Sequence, residues 1–295
     1  MLKKIPYFFY TVSRGYSLPT SFTSWLIAFA YCLKIGGSLM NGVVALVGIT
    51  AAHLGTNLLD DCVDTVCKVP KQKCKTEYLD KGIFSLKTIV IACILYFFIA
   101  ASTGIYLFLD AGWKVLAISA FGALIMLAYP KLNHYALGET AIAITYGALL
   151  FAGMGVVMCK VVLFKLLLIS VPVALLIMNL LYAHSLMDYD FDIQNSKKTL
   201  CVRLGSRERA LKAFILIALT ALAAHIFLIT QNVLPIYAFL VSVPTIIYYF
   251  KAYSKLKIYI SRKEHEINEF MDIFKLVRNA SITYNLLVAL VIALK

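Results

Sequence analysis

The chain has 295 residues, 61% hydrophobic and only 15% charged, with a formal net charge of +13. An ordinary soluble domain carries about 25% charged residues, so a water-facing surface built from this composition is starved of charge and a soluble globule is excluded. The basic excess does not signal nucleic acid either, because it falls in the connections between apolar runs, where topology and anionic lipid headgroups account for it.

In chain order, apolar runs long enough to cross a hydrocarbon layer of roughly 30 Å lie near 18–34, 41–59, 86–108, 113–129, 138–158, 162–187, 210–230, 234–250 and 276–294. Lipid leaves no unpaired backbone group solvated, so each run predicts a helix. The expected fold is all-α: a polytopic membrane protein with nine transmembrane helices in a bundle, one integral membrane domain over 1–295. Met1 to Arg14 is short, basic and aromatic, and no small-residue site follows it, so it does not read as a cleaved signal peptide.

The connections alternate in charge. Lys3, Lys4 and Arg14 precede the first run, and Lys68, Lys71, Lys73, Lys75, Lys81 and Lys87 fill the next connection on the same side. With Lys131, the 197–212 group and the 251–278 group, 23 of the 28 basic residues share one side. The positive-inside rule then makes the N-terminus cytoplasmic, and an odd count places the C-terminus outside a cell membrane. The seven cysteines show no disulfide framework. Cys62, Cys67 and Cys74 share a polar loop but lack CxxC spacing, so they read as reduced thiols, with a zinc knuckle as the alternative.

Two acidic clusters break the pattern in a chain with only 15 Asp and Glu. Asp60, Asp61 and Asp64 follow the second run; Asp188, Asp190 and Asp192 follow the sixth. If the helices continue, Asn57, Asp61 and Asp64 share one face at i, i+4 and i+7, with Asp60 rotated away as a helix-end solubiliser. His184, Asp188 and Asp192 likewise share a face, with Asp190 pointing elsewhere. The near-equal division of the chain by the two clusters suggests two pseudo-repeated halves. Like charges stacked on one face repel, and a hard divalent cation removes that penalty. Magnesium is typically held by one or two carboxylates plus substrate phosphates, so the two faces together predict Mg2+ and a diphosphate. Lys68, Lys197 and Lys198 sit nearby as point charges for its oxygens. The alternative is that these are solvated loop residues, but ionisable groups at membrane depth are functional by default.

These residues carry a resemblance. Asn57 to Asp64 has the N-x-x-x-D-x-x-D form, Asp188 to Asp192 followed by Lys197-Lys-Thr-Leu-Cys-Val-Arg203-Leu-Gly205 has a second motif and tail, and Arg14-Gly-Tyr-Ser17-Leu18 and Gly138-Glu139 open the first and fifth helices. In order and spacing they resemble the UbiA superfamily of intramembrane prenyltransferases, nearest its dihydroxynaphthoate branch, over nearly the whole chain. The resemblance implies a nine-helix bundle with a cytoplasm-facing cavity opening laterally to lipid and two magnesium ions. It makes Asn57, Asp61, Asp64, Asp188 and Asp192 metal or diphosphate ligands. It adds Tyr129 to the catalytic set and Lys131 and Arg14 to the substrate-binding set. His184-Ser-Leu-Met187 departs from the Asn-Asn-x-Arg of that branch. His184 then reads as a ligand or base, or as a hydrogen-bonded structural residue.

The implied reaction ionises a prenyl diphosphate to an allylic cation, sheltered by aromatic side chains, which a small aromatic quinone precursor captures as a carboxylate or Tyr takes its proton. The alternatives are transfer to a glycerol-phosphate lipid precursor and, in another class, an ion-coupled transporter. Transporter sites lie near the bilayer midplane, whereas these acids sit at helix ends.

Overall fold

The computed structural model describes residues 4–68, 77–262 and 267–295. Lys3, Lys71, Lys73, Cys74, Lys75 and Lys263 therefore lie outside the described residues. Two short turns, Phe8–Val12 and Gly15–Ser17, lead into nine long helices: α1 Leu18–Lys34, α2 Leu39–Val66, α3 Leu86–Ala111, α4 Trp113–His134, α5 Gly138–Cys159, α6 Phe164–Met187, α7 Arg207–Thr230, α8 Ile236–Ser261 and α9 Ile267–Leu294. No strand occurs among the described residues.

Eight of these helices are long and apolar enough to cross a membrane. The expected count of nine is not met because α1 has 17 residues. At 1.5 Å per residue it is about 25 Å long, short of the roughly 30 Å hydrocarbon layer.

Local chemistry sets the ends. Ser38, Ser85 and Ser206 cap α2, α3 and α7 by accepting from the backbone N–H three residues on, which satisfies one of the donors that a helix start leaves unpaired. Gly112 joins α3 to α4 with φ +84, a left-handed conformation that glycine enters without Cβ strain. Each helix packs on its sequence neighbour and α9 returns against α1, so the bundle closes. Between α2 and α3, Gly48 faces Thr103 and Gly55 faces Phe97; small residues let membrane helices approach closely.

The two ends of the bundle differ. At one end Lys34 Nζ donates to the Ile292 carbonyl at 3.1 Å, and buried Asn41 donates to Asp110 and to the Val157 carbonyl at 2.7 Å each. At the other end Arg14 meets Asp61, Lys198 N–H donates to the His134 carbonyl, and Arg207 ties Asp190 to the Ile260 carbonyl. Both acidic clusters lie at this second end, and the last helix finishes at the first. The core sits around α6, where 61% of the apolar window is buried, against 11% in α3 and in α4. Those two helices present their outer faces to the surroundings and leave a cavity behind them.

Among the described residues, Cys62, Cys67, Cys93 and the other cysteines form no disulfide. Cys62 is buried with Leu58, Tyr78, Ile89 and Cys93 in a small core beneath the first acidic cluster, and Cys67 is exposed. The two therefore face different surroundings.

Candidate active site

Helix α2 runs unbroken through Asn57, Asp60, Asp61 and Asp64 to Val66, so the conditional face predicted for it forms. Asn57 Nδ2 donates to the Ser13 carbonyl at 3.1 Å. Asp61, 2% exposed, accepts from the Arg14 guanidinium and from the Tyr78 hydroxyl, the latter at 2.7 Å. Arg14 also lies 3.6 Å from Asp60. Its backbone is left-handed at φ +55, a conformation that costs a residue with a Cβ roughly 1–2 kcal/mol. Gly15 follows because any Cβ there would meet the Phe9 carbonyl oxygen at 2.7 Å. Burial opposes the charge on Arg14, and Asp61 and Asp60 outweigh it, holding the guanidinium protonated beyond its usual range. Burial and then Asp61 push the Tyr78 hydroxyl up in turn, so it stays a donor.

The second cluster follows α6. The helical path kinks at Asp188 into the short turn Tyr189–Gln194, and Asp192 N–H still donates to the Asp188 carbonyl at 2.8 Å. His184, Asp188 and Asp192 thus keep the face predicted for them. His184 Nδ1 lies 3.1 Å from Asp188 Oδ2, and its ring stands edge-on to Phe270 and Phe274. Lys197 Nζ approaches Asp192 Oδ1 at 3.6 Å. Asp192 is 1% exposed and its Oδ2 accepts no hydrogen bond among the described residues. Burial raises its carboxyl to about 6, against the lowering effect of Lys197.

Both clusters open into one cavity of about 1200 Å³, whose deeper wall is apolar and comes largely from α3 and α4. Asn57, Asp61, Asp64, Asp188, Asp192, Arg14, Tyr129, His184 and Lys197 all line it. Lys68, Lys131 and Lys198 do not: all three side chains are exposed outside the lining. Asp60 is not the helix-end solubiliser expected of it. It is 4% exposed, lines the cavity and faces Arg14, because on α2 the residues 57, 60 and 64 follow helical spacing as well as 57, 61 and 64 do. Asp190 does point elsewhere, paired with Arg207.

Among the lining residues outside the predicted set, Tyr78, Glu139, His53 and Tyr146 make side-chain contacts within the site. Tyr78 enters through the connection after α2. Glu139, 2% exposed, accepts from Ser185 at 2.8 Å and bridges α5 to α6. His53 and Tyr146 meet across the cavity wall at 2.8 Å. His53 stands one helical turn before Asn57, a spacing visible in the sequence; Tyr146 carried no such signal.

The family model of the UbiA prenyltransferases matches residues 18–276. No curated protein sequence matches the chain. Among solved structures, a digeranylgeranylglyceryl phosphate synthase is 14% identical with a TM-score of 0.68, covering 99% of this chain and 100% of that one. A UbiA homolog from Aeropyrum pernix K1 is 17% identical with a TM-score of 0.71, covering 91% and 97%. A UbiA homolog from Archaeoglobus fulgidus, solved with GPP and Mg2+, is 17% identical with a TM-score of 0.59, covering 93% and 98%. At these identities the structures speak for the fold alone, and the fold agrees with the sequence match over most of the chain: this protein belongs to the UbiA prenyltransferase family.

Proposed function

We propose that this chain, acting as one multi-pass membrane domain with its acidic end toward the cytoplasm, transfers a prenyl group from a prenyl diphosphate to a small aromatic quinone precursor. The observation that carries this reading is the meeting of two buried carboxylate groups, Asp61 with Asp64 and Asp188 with Asp192, on the wall of one largely apolar cavity.

The donor set fits magnesium. Among the described residues no three His, Cys, Asp or Glu side chains form a group that could hold a metal ion, so a bound magnesium ion would take its other ligands from water and phosphate. The Asp192 oxygen without a hydrogen bond is a buried acceptor that a cation satisfies. Asp61, Asp64, Asp188 and Asp192, with Asn57, are the residues that would hold it. When bound, the ion supplies Lewis-acid stabilisation of the departing diphosphate. The homolog from Archaeoglobus fulgidus was solved with GPP and Mg2+, which supports the same pairing here.

The chain's own residues do the rest. Arg14 and Lys197 line the polar mouth as charge partners for diphosphate oxygens. The isoprenoid tail lies along the apolar wall from α3 and α4 toward Phe108, and Phe97 and Tyr129 shelter the allylic cation from water. His184, held between Asp188 and two phenylalanine rings, fixes the orientation of that carboxylate at the rim.

The aromatic acceptor rests on the sequence motifs; a glycerol-phosphate lipid precursor is the competing acceptor, raised by the likeness to the digeranylgeranylglyceryl phosphate synthase. Turnover of dihydroxynaphthoate, hydroxybenzoate, homogentisate and geranylgeranylglyceryl phosphate with one prenyl diphosphate separates them. Preference for dihydroxynaphthoate is expected. Preference for the glycerol phosphate overturns the aromatic assignment and leaves prenyl transfer standing.

A further inference from the structure

The wall of the cavity carries a second polar group that the diphosphate site does not use. His53 on α2 touches three hydroxyls: Ser17 Oγ at 2.9 Å from Nε2, and Tyr146 at 2.8 Å and Ser21 Oγ at Nδ1. Ser17 donates its own proton to the Arg14 carbonyl at 2.7 Å, so it can only accept from His53. The network therefore places the imidazole proton on Nε2 and the lone pair on Nδ1. That lone pair accepts one proton; Ser21 Oγ donates to Tyr146 Oη at 3.3 Å, so Tyr146 is the hydroxyl that donates to Nδ1, and its Oη keeps a second lone pair for a further group. Ser21 lies behind, 1% exposed and outside the cavity lining; Tyr146 fronts the cavity.

Tyr146 is held there by an unusual backbone. It sits in the π-turn Thr145–Leu149 within α5, a distortion often found at functional sites. Gly147 presses this turn onto α6, since a Cβ there would lie 2.5 Å from Ala174 Cβ.

We infer that Tyr146 and His53 form the acceptor end of the cavity, where the hydroxyl of a phenolic acceptor binds and loses its proton. The inference rests on the prenyl-transfer reading and deepens it. As the bond between C1 of the prenyl group and the diphosphate oxygen breaks, its electron pair leaves with the diphosphate, and the electron pair of a ring carbon of the phenol forms the new bond to C1. The acceptor's hydroxyl proton moves to Tyr146 Oη while the Tyr146 proton moves to His53 Nδ1, leaving the ring as a ketone; departure of the proton, or of the carboxyl group as CO2, from the alkylated carbon returns its electron pair to the ring, and the proton goes back through Tyr146 to the oxygen. A phenol is the chemical match because the net transfer runs from the acceptor hydroxyl to an imidazole, and a phenol, with a pKa of about 10, gives up its proton far more readily than an aliphatic alcohol. Tyr146 touches the acceptor and is the catalytic residue of the pair; His53 acts through it.

The test uses full-length protein in detergent with geranyl diphosphate, magnesium and dihydroxynaphthoate. Tyr146→Phe keeps the ring, and His53→Gln keeps both hydrogen bonds but takes no proton. Each is expected to lower kcat about 10²-fold, a typical contribution of general base catalysis, with the KM for geranyl diphosphate within about twofold of wild type. Added imidazole is expected to restore part of the rate to His53→Ala, which a purely structural role does not allow. Wild-type kcat in both Tyr146→Phe and His53→Gln overturns the inference, as does loss of geranyl diphosphate binding together with turnover. A wild-type protein that binds no geranyl diphosphate with magnesium fails the prenyl-transfer reading itself, a distinct result.

Discussion

The two acidic helix ends have the same composition and different electrostatics. At the first, Asp61 is already answered by Arg14 and Tyr78, and Asp60 shares the same guanidinium. At the second, Asp192 has one oxygen without a hydrogen bond, its other oxygen is 3.6 Å from Lys197, and Asp188 faces a histidine. One end is compensated by the protein and the other leaves part of its compensation to a ligand. A buried charge whose partner is removed costs far more than the pair contributes. The first end is therefore built to be stable empty, and the second is where bound cation changes the energy most.

Substitutions test that difference. The largest effect is expected on chemistry: Asp61→Asn and Asp188→Asn each lower turnover by about 10²–10³-fold, the several kcal/mol that a metal clamp contributes, while the protein remains monodisperse in detergent. Near-wild-type turnover in both removes the metal assignment. Next comes binding. Replacing Arg14 by Gln is expected to raise the KM for prenyl diphosphate about tenfold, since a charge-assisted hydrogen bond contributes about 1.5–3 kcal/mol. An unchanged KM makes Arg14 a partner of Asp61 alone.

Thermal unfolding without divalent cation sharpens the contrast between the ends. Asp61→Asn leaves a part-buried guanidinium short of its partner and is expected to cost about 1–3 kcal/mol. Asp192→Asn removes a poorly compensated buried carboxylate and is expected to be neutral or stabilising within about 1 kcal/mol. Equal losses at both positions break the comparison. The smallest effects are expected at Lys68, Lys131 and Lys198, where alanine leaves turnover within about twofold. Their side chains are exposed and are not among those lining the cavity.

The sequence made one set of these residues readable and hid another. Helical periodicity alone put Asn57, Asp61 and Asp64 on one face, and His184, Asp188 and Asp192 on another, because a helix enforces its spacing whatever it packs against. The same rule misassigned Asp60: with steps of three and four, a stripe through His53, Asn57, Asp60 and Asp64 is as regular as one through Asp61, and only the approach of Arg14 decides which carboxylates are covered. The three exposed lysines were misplaced because sequence proximity to a motif fixes where a Cα lies and not where a long side chain finds water. Tyr146 was invisible for another reason. A π-turn inserts an extra residue per turn and shifts the face beyond it, so no 3.6-residue pattern points to it. The count of spans differs at α1, the shortest of the nine long helices at 17 residues.

The most direct test of the account is a titration of purified protein with geranyl diphosphate, with and without magnesium, in wild type, Asp61→Asn and Asp188→Asn. Saturable binding is expected in wild type only when magnesium is present, with loss of that binding in each variant, since each removes one side of a shared clamp. Equal binding without magnesium, or magnesium-dependent binding that survives in both variants, would contradict it.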